Sequence, residues 1–325
     1  MKKLILAAGI AALLTFTTAG SAAPLNTNGI PAAAQGLIHL DYDLVKKSAI
    51  GTEYIASLKS QKKGSEDFIN TLKDDLGLDL EKDAISDITL GLTAPAAADV
   101  DPDVIVIVRG KFSPEKFLSA GKKKNAKFVA VGKHSFANVG THDKKWLVGV
   151  VDGKTLIAVN KSAALATAAV DAHTGAAKSF AAPAPLVSFG KQFGNPAILI
   201  YADGRLFPPA DNQGGVSVPP PDSLYAALGD NGTNIRLRTT AAYPTAEKAQ
   251  QAQATLQGLA GIIQSMSAQG NGAGGKQDPK SAARLNKLFS AMKFTTADKF
   301  FLFAVDYPVA DAVQALKAQS AGKAK

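Results

Sequence analysis

Three runs in the chain are apolar at every position: Val104 to Val108, Ala197 to Tyr201 and Phe300 to Val305. They limit the fold more than any other feature. Each has strand length, far short of the roughly 20 apolar residues that a membrane-spanning helix requires. An antiparallel strand with one wet face alternates apolar and polar residues. A strand that is apolar on both sides has to be covered on both sides. Helices of the chain can cover one face, and the simplest cover for the other is the stacking of two halves of the molecule. A homodimer contact or a slot for an apolar ligand would meet the same need.

One design recurs around these runs. VIVIVRGKF leads into SPEKFL (Val104 to Leu118), IRLRTTAAY into PTAEKA (Ile235 to Ala249), and FFLFAVDY into PVADAV (Phe300 to Val313). In each, a strand ends in an aromatic residue and a helix start follows. Gly36 to Val45 is a looser fourth copy. The spacing is too irregular for a solenoid. The pattern predicts an α+β fold of two similar halves, each a mainly antiparallel sheet with helices packed on one face.

The remaining elements fill in this plan. Gly36 to Tyr42, Ile88 to Leu92, Phe128 to Val131, Ser135 to Val139, Trp146 to Val151 and Thr155 to Val159 read as strands, with Asp152-Gly153 as a hairpin turn. Leu44 to Leu58 reads as a helix broken near Ser48 and Gly51. Ser65 caps a helix with Phe68, Ile69, Leu72 and Leu76 on one face. Ser113-Pro114-Glu115 and Ser162 open two more. Leu224 to Leu228 reads as a short helix. Thr245 opens the longest helix, where Ala249, Ala252, Leu256, Leu259, Ile263 and Met266 form a heptad-like seam. That seam packs on the chain's own sheet or meets a partner. Helices are also expected around Leu285 to Met292 and Val309 to Leu316.

The chain opens with Lys2 and Lys3, an uncharged apolar run from Leu4 to Thr15, and the small residues Ala19 to Ala23. This is the arrangement of a secretory signal peptide. Residues 1–22 are therefore expected to be removed and the mature protein to be periplasmic or extracellular, with no transmembrane segment. Residues 23–174 would form the first half, 175–196 an Ala/Pro-rich connection, and 197–325 the second half. The sequence has no cysteine. Disulfides, thiolate catalysis and cysteine-ligated metals are thereby excluded, so the mature chain of about 300 residues must be held by its core. The net charge of +9 falls to +7 without Lys2 and Lys3. Lys122, Lys123, Lys124 and Lys127 form the densest cluster. It reads as a solvated loop after a helix, or as a patch for an anionic surface. No aromatic or arginine-rich readout accompanies it, so no nucleic acid is expected.

Several motifs match in part. Gly270 to Lys276 resembles a phosphate-binding loop, but Gln277 stands where a hydroxyl is needed and a helix precedes it instead of a strand. Asp99, Asp101 and Asp103 resemble the opening of a calcium loop, but Val104 and Gly110 fill its turn and bidentate positions. Ser60 and Lys63 fit the spacing of a serine–lysine hydrolase without its companion motifs. His39, Asp41 and Asp43 alternate on one strand and could hold a divalent metal. An alternating polar face is also what a solvated strand shows. His134, His142 and His173 lack ligand spacing, and Trp146 reads as a half-buried strand residue. No catalytic, cofactor-binding or metal residue is assigned, and no cofactor is expected.

The layout resembles uncharacterised exported bacterial proteins with a signal peptide and repeated strand–helix halves. The matching stretches are GLIHLDYDLVKKSAIGTEYIASL, DVIVIVRGKFSPEKFLSAG, WLVGVVDGKTLIAVN and FFLFAVDYPVADAVQAL. The resemblance implies export and the α+β fold, and brings no activity or site residues. The function expected is non-enzymatic binding through a protein partner or a homodimer. A carrier of an apolar or lipid-like small molecule is the alternative, and a hydrolase a more distant one.

Overall fold

Alternation, turn chemistry and helix caps set the local structure of the chain, as a computed structural model shows for residues 25–53, 85–93, 102–139, 146–160, 162–194, 196–207, 218–268 and 279–322. The signal-peptide region, the helix expected after Ser65, Ser60 and Lys63, Asp99 and Asp101, His142, and the glycine tract from Gly270 to Lys276 lie outside the described residues. The strands are β1 (Gly36–Asp41), β2 (Asp87–Leu92), β3 (Val104–Arg109), β4 (Phe128–Val131), β5 (His134–Val139), β6 (Trp146–Val150), β7 (Thr155–Asn160), β8 (Ile198–Asp203), β9 (Ser223–Asp230), β10 (Asn234–Ala242), β11 (Met292–Ala297) and β12 (Phe300–Pro308). The helices are α1 (Tyr42–Lys47), α2 (Pro114–Lys123), α3 (Ala163–Thr174), α4 (Ala184–Phe193), α5 (Ala246–Ala268), α6 (Pro279–Ser290) and α7 (Val309–Gly322).

All twelve strands belong to one antiparallel sheet in the order β11-β12-β10-β9-β8-β1-β2-β3-β7-β6-β5-β4. The fold is thus α+β with a mainly antiparallel sheet, as expected. The strands on either side of the connection meet edge to edge, where β1 pairs with β8 from Gly36↔Ala202 to Leu40↔Ile198. They do not stack face to face. Two of the three doubly apolar strands, β3 and β8, are covered by helices on both sides. On β3, Ile105 and Ile107 pack with Ala166 and Ala169 of α3, while Val108 packs with Phe117 of α2 on the opposite face. On β8, Leu199 joins Leu186 and Phe193 of α4, and Ile198 joins Leu44 of α1 and Val309 of α7.

The helix starts are those the sequence signals. Ser113 and Ser162 accept hydrogen bonds from the amides of Lys116 and Leu165, 3.2 Å in each case, so each satisfies an otherwise orphaned first-turn donor. The break near Ser48 is present as well, where the hydroxyl donates to the Val45 carbonyl at 2.9 Å and accepts from the Gly51 amide at 2.7 Å.

Four features differ from the sequence reading. Residues 223–230 form β9, not a short helix. Ala226 and Ala227 favour a helix intrinsically, but the segment pairs along its length with both β8 and β10, and tertiary pairing outweighs propensity. The sequence pattern marks no strand at β11 and places Met292, its first residue, in the preceding helix. Its alternating MKFTTA pairs with β12 through a two-residue turn in which Asp298 takes a φ of 52°. The span read as a connection contains α4. Finally, the two sides of β12 are covered unequally among the described residues: Phe301 is 4 % exposed, whereas its neighbour Phe300 is 37 % exposed.

Candidate functional site

The register places the chemistry-bearing residues in two adjacent rows across the middle of the sheet. Asp41, Asp87, Arg109 and Thr155 occupy one row on β1, β2, β3 and β7, and His39 and Thr89 stand in the next. All six side chains share one face because each strand contributes alternate positions. The face is not solvated: His39 is 3 % exposed and Thr89 0 %. Residues 25–34 cross over it. Gly29 takes a φ of +91°, and a Cβ there would lie 2.8 Å from Cδ1 of Ile107. On β2, Gly91 leaves room for Ile30, whose Cγ2 would sit 2.7 Å from an added Cβ. The segment is held by the Phe180 amide, which donates to the Ile30 carbonyl at 2.7 Å, and by the Ala32 amide donating to Lys178 at 3.2 Å.

Several of the polar groups beneath this segment bond to one another or to nearby backbone. Arg109 Nη1 donates to Asp87 Oδ1 at 2.8 Å, and its Nη2 to the Asn28 carbonyl at 2.9 Å. The Ser86 hydroxyl donates to the other Asp87 oxygen at 2.8 Å. His39 Nδ1 lies 3.0 Å from Thr89 Oγ1. A hydroxyl beside an imidazole is the pairing of a nucleophile with its base, but a hydroxyl with no exposed surface meets no substrate. Asp41 accepts from the Leu44 amide at 2.9 Å and so caps α1. Asp43 lies on α1, not on the strand, and pairs with Lys46 at 2.9 Å. The three residues considered for a metal therefore do not converge. Among the described residues, no group of three His, Asp or Glu side chains is placed to hold a metal ion.

A second cluster sits at the end of the sheet where β4–β7 turn. His173, in the last turn of α3, lies with Nε2 2.9 Å from Oδ2 of Asp152 in the β6–β7 turn. Burial pushes Asp152 up, but the His173 hydrogen bond and the Lys154 amide outweigh it and leave the carboxyl below its usual range. Burial, helped by the charges of Lys133 and His173, lowers the pKa of His134. The Nδ1 of His173 and Nε2 of His134 are buried without hydrogen-bond partners among the described residues. His173 also borders a wide-mouthed depression of about 520 Å³ shared with Asn28, Lys178 and Ser179. The sequence carried no spacing signal for this cluster, because its members come from two hairpins and a helix end.

Two more features lie on the outside. Arg238 Nη2 donates to both carboxylate oxygens of Asp306, at 2.8 and 2.7 Å, in a partly exposed pair across β10 and β12. The last turns of α5 carry Ile262 and Ile263, which are 55 % and 49 % exposed. The heptad-like seam is thus used in its first half, where Ala249 and Ala252 are fully buried against Ala241 and Phe301. Trp146 is half-buried at the start of β6 and packs with the α2-side core. Among the described residues no helix is long and apolar enough to cross a membrane.

No family model matches the chain, and comparison with curated proteins gives no match. Solved structures share its fold across most of its length. Crystal form III of TP0453 aligns with a TM-score of 0.50 at 8% identity, covering 91% of this chain and 98% of that one. Crystal form IV gives 0.47 at 8% identity, covering 90% and 96%, and crystal form I gives 0.45 at 6%, covering 92% and 98%. At this identity the likeness to crystal form III is one of fold alone.

Proposed function

We propose that the protein is an exported, non-enzymatic binding protein that works through contacts with another protein. The observation that carries this reading is the projecting end of α5, where Ile262 and Ile263 stay about half exposed on a helix whose first half is packed against the sheet. Adjacent exposed aliphatic residues at the end of a rigid helix are a suitable anchor for a partner. The buried polar rows support the same reading, because the Thr89 hydroxyl and the His39 imidazole have almost no exposed surface. The carrier alternative rested on strands apolar on both faces, and helices of the chain itself cover β3 and β8.

The test is site-specific photo-crosslinking from position 262 in the exporting cell, with the folded mature protein recovered and its adducts identified by mass spectrometry. The reading expects one dominant protein adduct, lost on Ile263→Glu. A lipid adduct, or no adduct above that from an exposed control such as position 116 on α2, contradicts it. Recovery of a precursor that retains residues 1–22 contradicts the export part.

A further inference from the structure

The sheet ends in two edge strands, and they are treated differently. At β11, α5 covers the edge, and Gln253 Nε2 donates to the outward carbonyl of Phe294 at 3.2 Å. At the other end stands β4. Its partner β5 takes only one side. The Asn138 amide donates to the Lys127 carbonyl at 2.8 Å, and Gly132, with a φ of 56°, makes the two-residue turn that closes the hairpin at Val131↔His134. Bonded and non-bonded pairs alternate in an antiparallel ladder. The amides and carbonyls of Phe128 and Ala130 therefore point away from β5, to a side on which no strand pairs among the described residues. The strand is held flat between helices: Phe128 packs edge-on against Phe117 of α2, with ring centroids 6.1 Å apart, and Val131 packs in the core that α3 covers.

This open edge is framed by charge. Lys122, Lys123, Lys124 and Lys127 precede it, Lys133 follows it, and all five are exposed. No carboxylate among the described residues pairs with any of them. Lysines at the end of α2 complement the helix dipole, which accounts for Lys122 and Lys123 but not for Lys127 and Lys133. Natural sheets use lysine to keep edges from pairing with copies of themselves. Two copies joined through β4 would bring ten like charges together. A strand bearing carboxylates would instead meet opposite charge at both ends of β4.

We propose that β4 is a strand-addition site for a short, extended, acidic segment of a partner protein. The backbone of that segment would pair with Phe128 and Ala130, and its carboxylates would reach Lys124, Lys127 and Lys133. Main-chain hydrogen bonds supply affinity in this mode of recognition, and the flanking side chains supply selectivity. The inference rests on the reading of the molecule as a binding protein. It concerns a surface at the opposite end of the sheet from α5.

The experiment uses a fluorescein-labelled peptide of alternating glutamate and valine, titrated with the mature protein and followed by fluorescence anisotropy at low and at physiological salt. Three comparisons accompany it: the same peptide with N-methylated backbone amides, the variant Ala130→Pro, and the double variant Lys124→Glu with Lys127→Glu. Proline at position 130 removes only an outward-pointing amide, as edge strands tolerate. Thermal melting checks that each variant is folded, and the methylated peptide tests the same contact without altering the protein. Each change is expected to weaken binding about tenfold or more, and salt to weaken the wild-type interaction. Absence of binding up to millimolar peptide overturns the proposal. So does equal binding of the methylated peptide, which would mean that the lysines simply adsorb an anion. Failure here leaves the crosslink from position 262 unaffected, so the two readings fail separately.

Discussion

β3 and β10 are both interior strands of the same antiparallel sheet, yet their sequences differ in kind. β3 reads VIVIVR, with Ile105 and Ile107 under α3 and Val108 under α2. β10 reads NIRLRTTAA, with Ile235 and Ala241 buried on one side; on the other, Arg236 lies over the Phe193 ring at the end of α4, and Arg238 is partly exposed. A strand's pattern therefore reports how fully its faces are covered, not whether it is central or at an edge. The same difference decides what an arginine does. Arg109 lies under the segment of residues 25–34 and is locked to Asp87 and Asn28. Arg238 holds Asp306 with equally short bonds in view of solvent. The bonds are alike, and the surroundings set their energetic weight.

Substitutions make that comparison quantitative. Removing Arg109 with Arg109→Ala strands the Asp87 carboxylate in the interior and should cost about 3–5 kcal/mol of unfolding free energy, measured by urea denaturation. An equal loss in Arg238→Ala would break the comparison, since the half-exposed pair on β10 should cost about 1 kcal/mol or less. Between these lies Gly91→Ala, whose methyl would meet Ile30 and overpack the seal by about 1–3 kcal/mol. The smallest effect concerns pH. Burial pushes Asp230, at the β9–β10 turn, up to about 6, although the Gly232 amide pulls the other way. A carboxyl raised in the folded state stabilises the fold fully below its unfolded value of 3.8 and loses that contribution as pH rises through about 6. Asp230→Asn keeps the acceptor for the Gly232 amide. It should flatten the fall in stability between pH 4 and pH 7, leaving the variant more stable than wild type at neutral pH.

Much of the architecture was legible in the sequence. The serine caps at Ser113 and Ser162, the break at Ser48 and most strands lie where local chemistry puts them, because each depends on a few neighbouring residues. What escaped depends on distant ones. Residues 223–230 read as helix because alanine favours it, and they become a strand only because β8 and β10 flank them. The stacking expected of the two halves fails because β1 finds its second neighbour in β8, a pairing that spans about 160 residues of sequence and that no local pattern encodes. His39 and Asp41 read as a solvated row, since nothing in GLIHLDY reveals that residues 25–34 fold back over it. The His173–Asp152 pair could not be anticipated for the same reason.

His39 and Thr89 in the middle of the sheet are buried beneath residues 25–34, so a small reagent should not reach the imidazole in the folded protein. Diethyl pyrocarbonate modification of the folded mature protein, read residue by residue by mass spectrometry, tests this directly. The account predicts that His39 stays unmodified in the native protein and reacts only when urea unfolds the chain. Modification of His39 under native conditions, at a rate like that of a free imidazole, would mean that the site is open to small molecules, and would contradict the account.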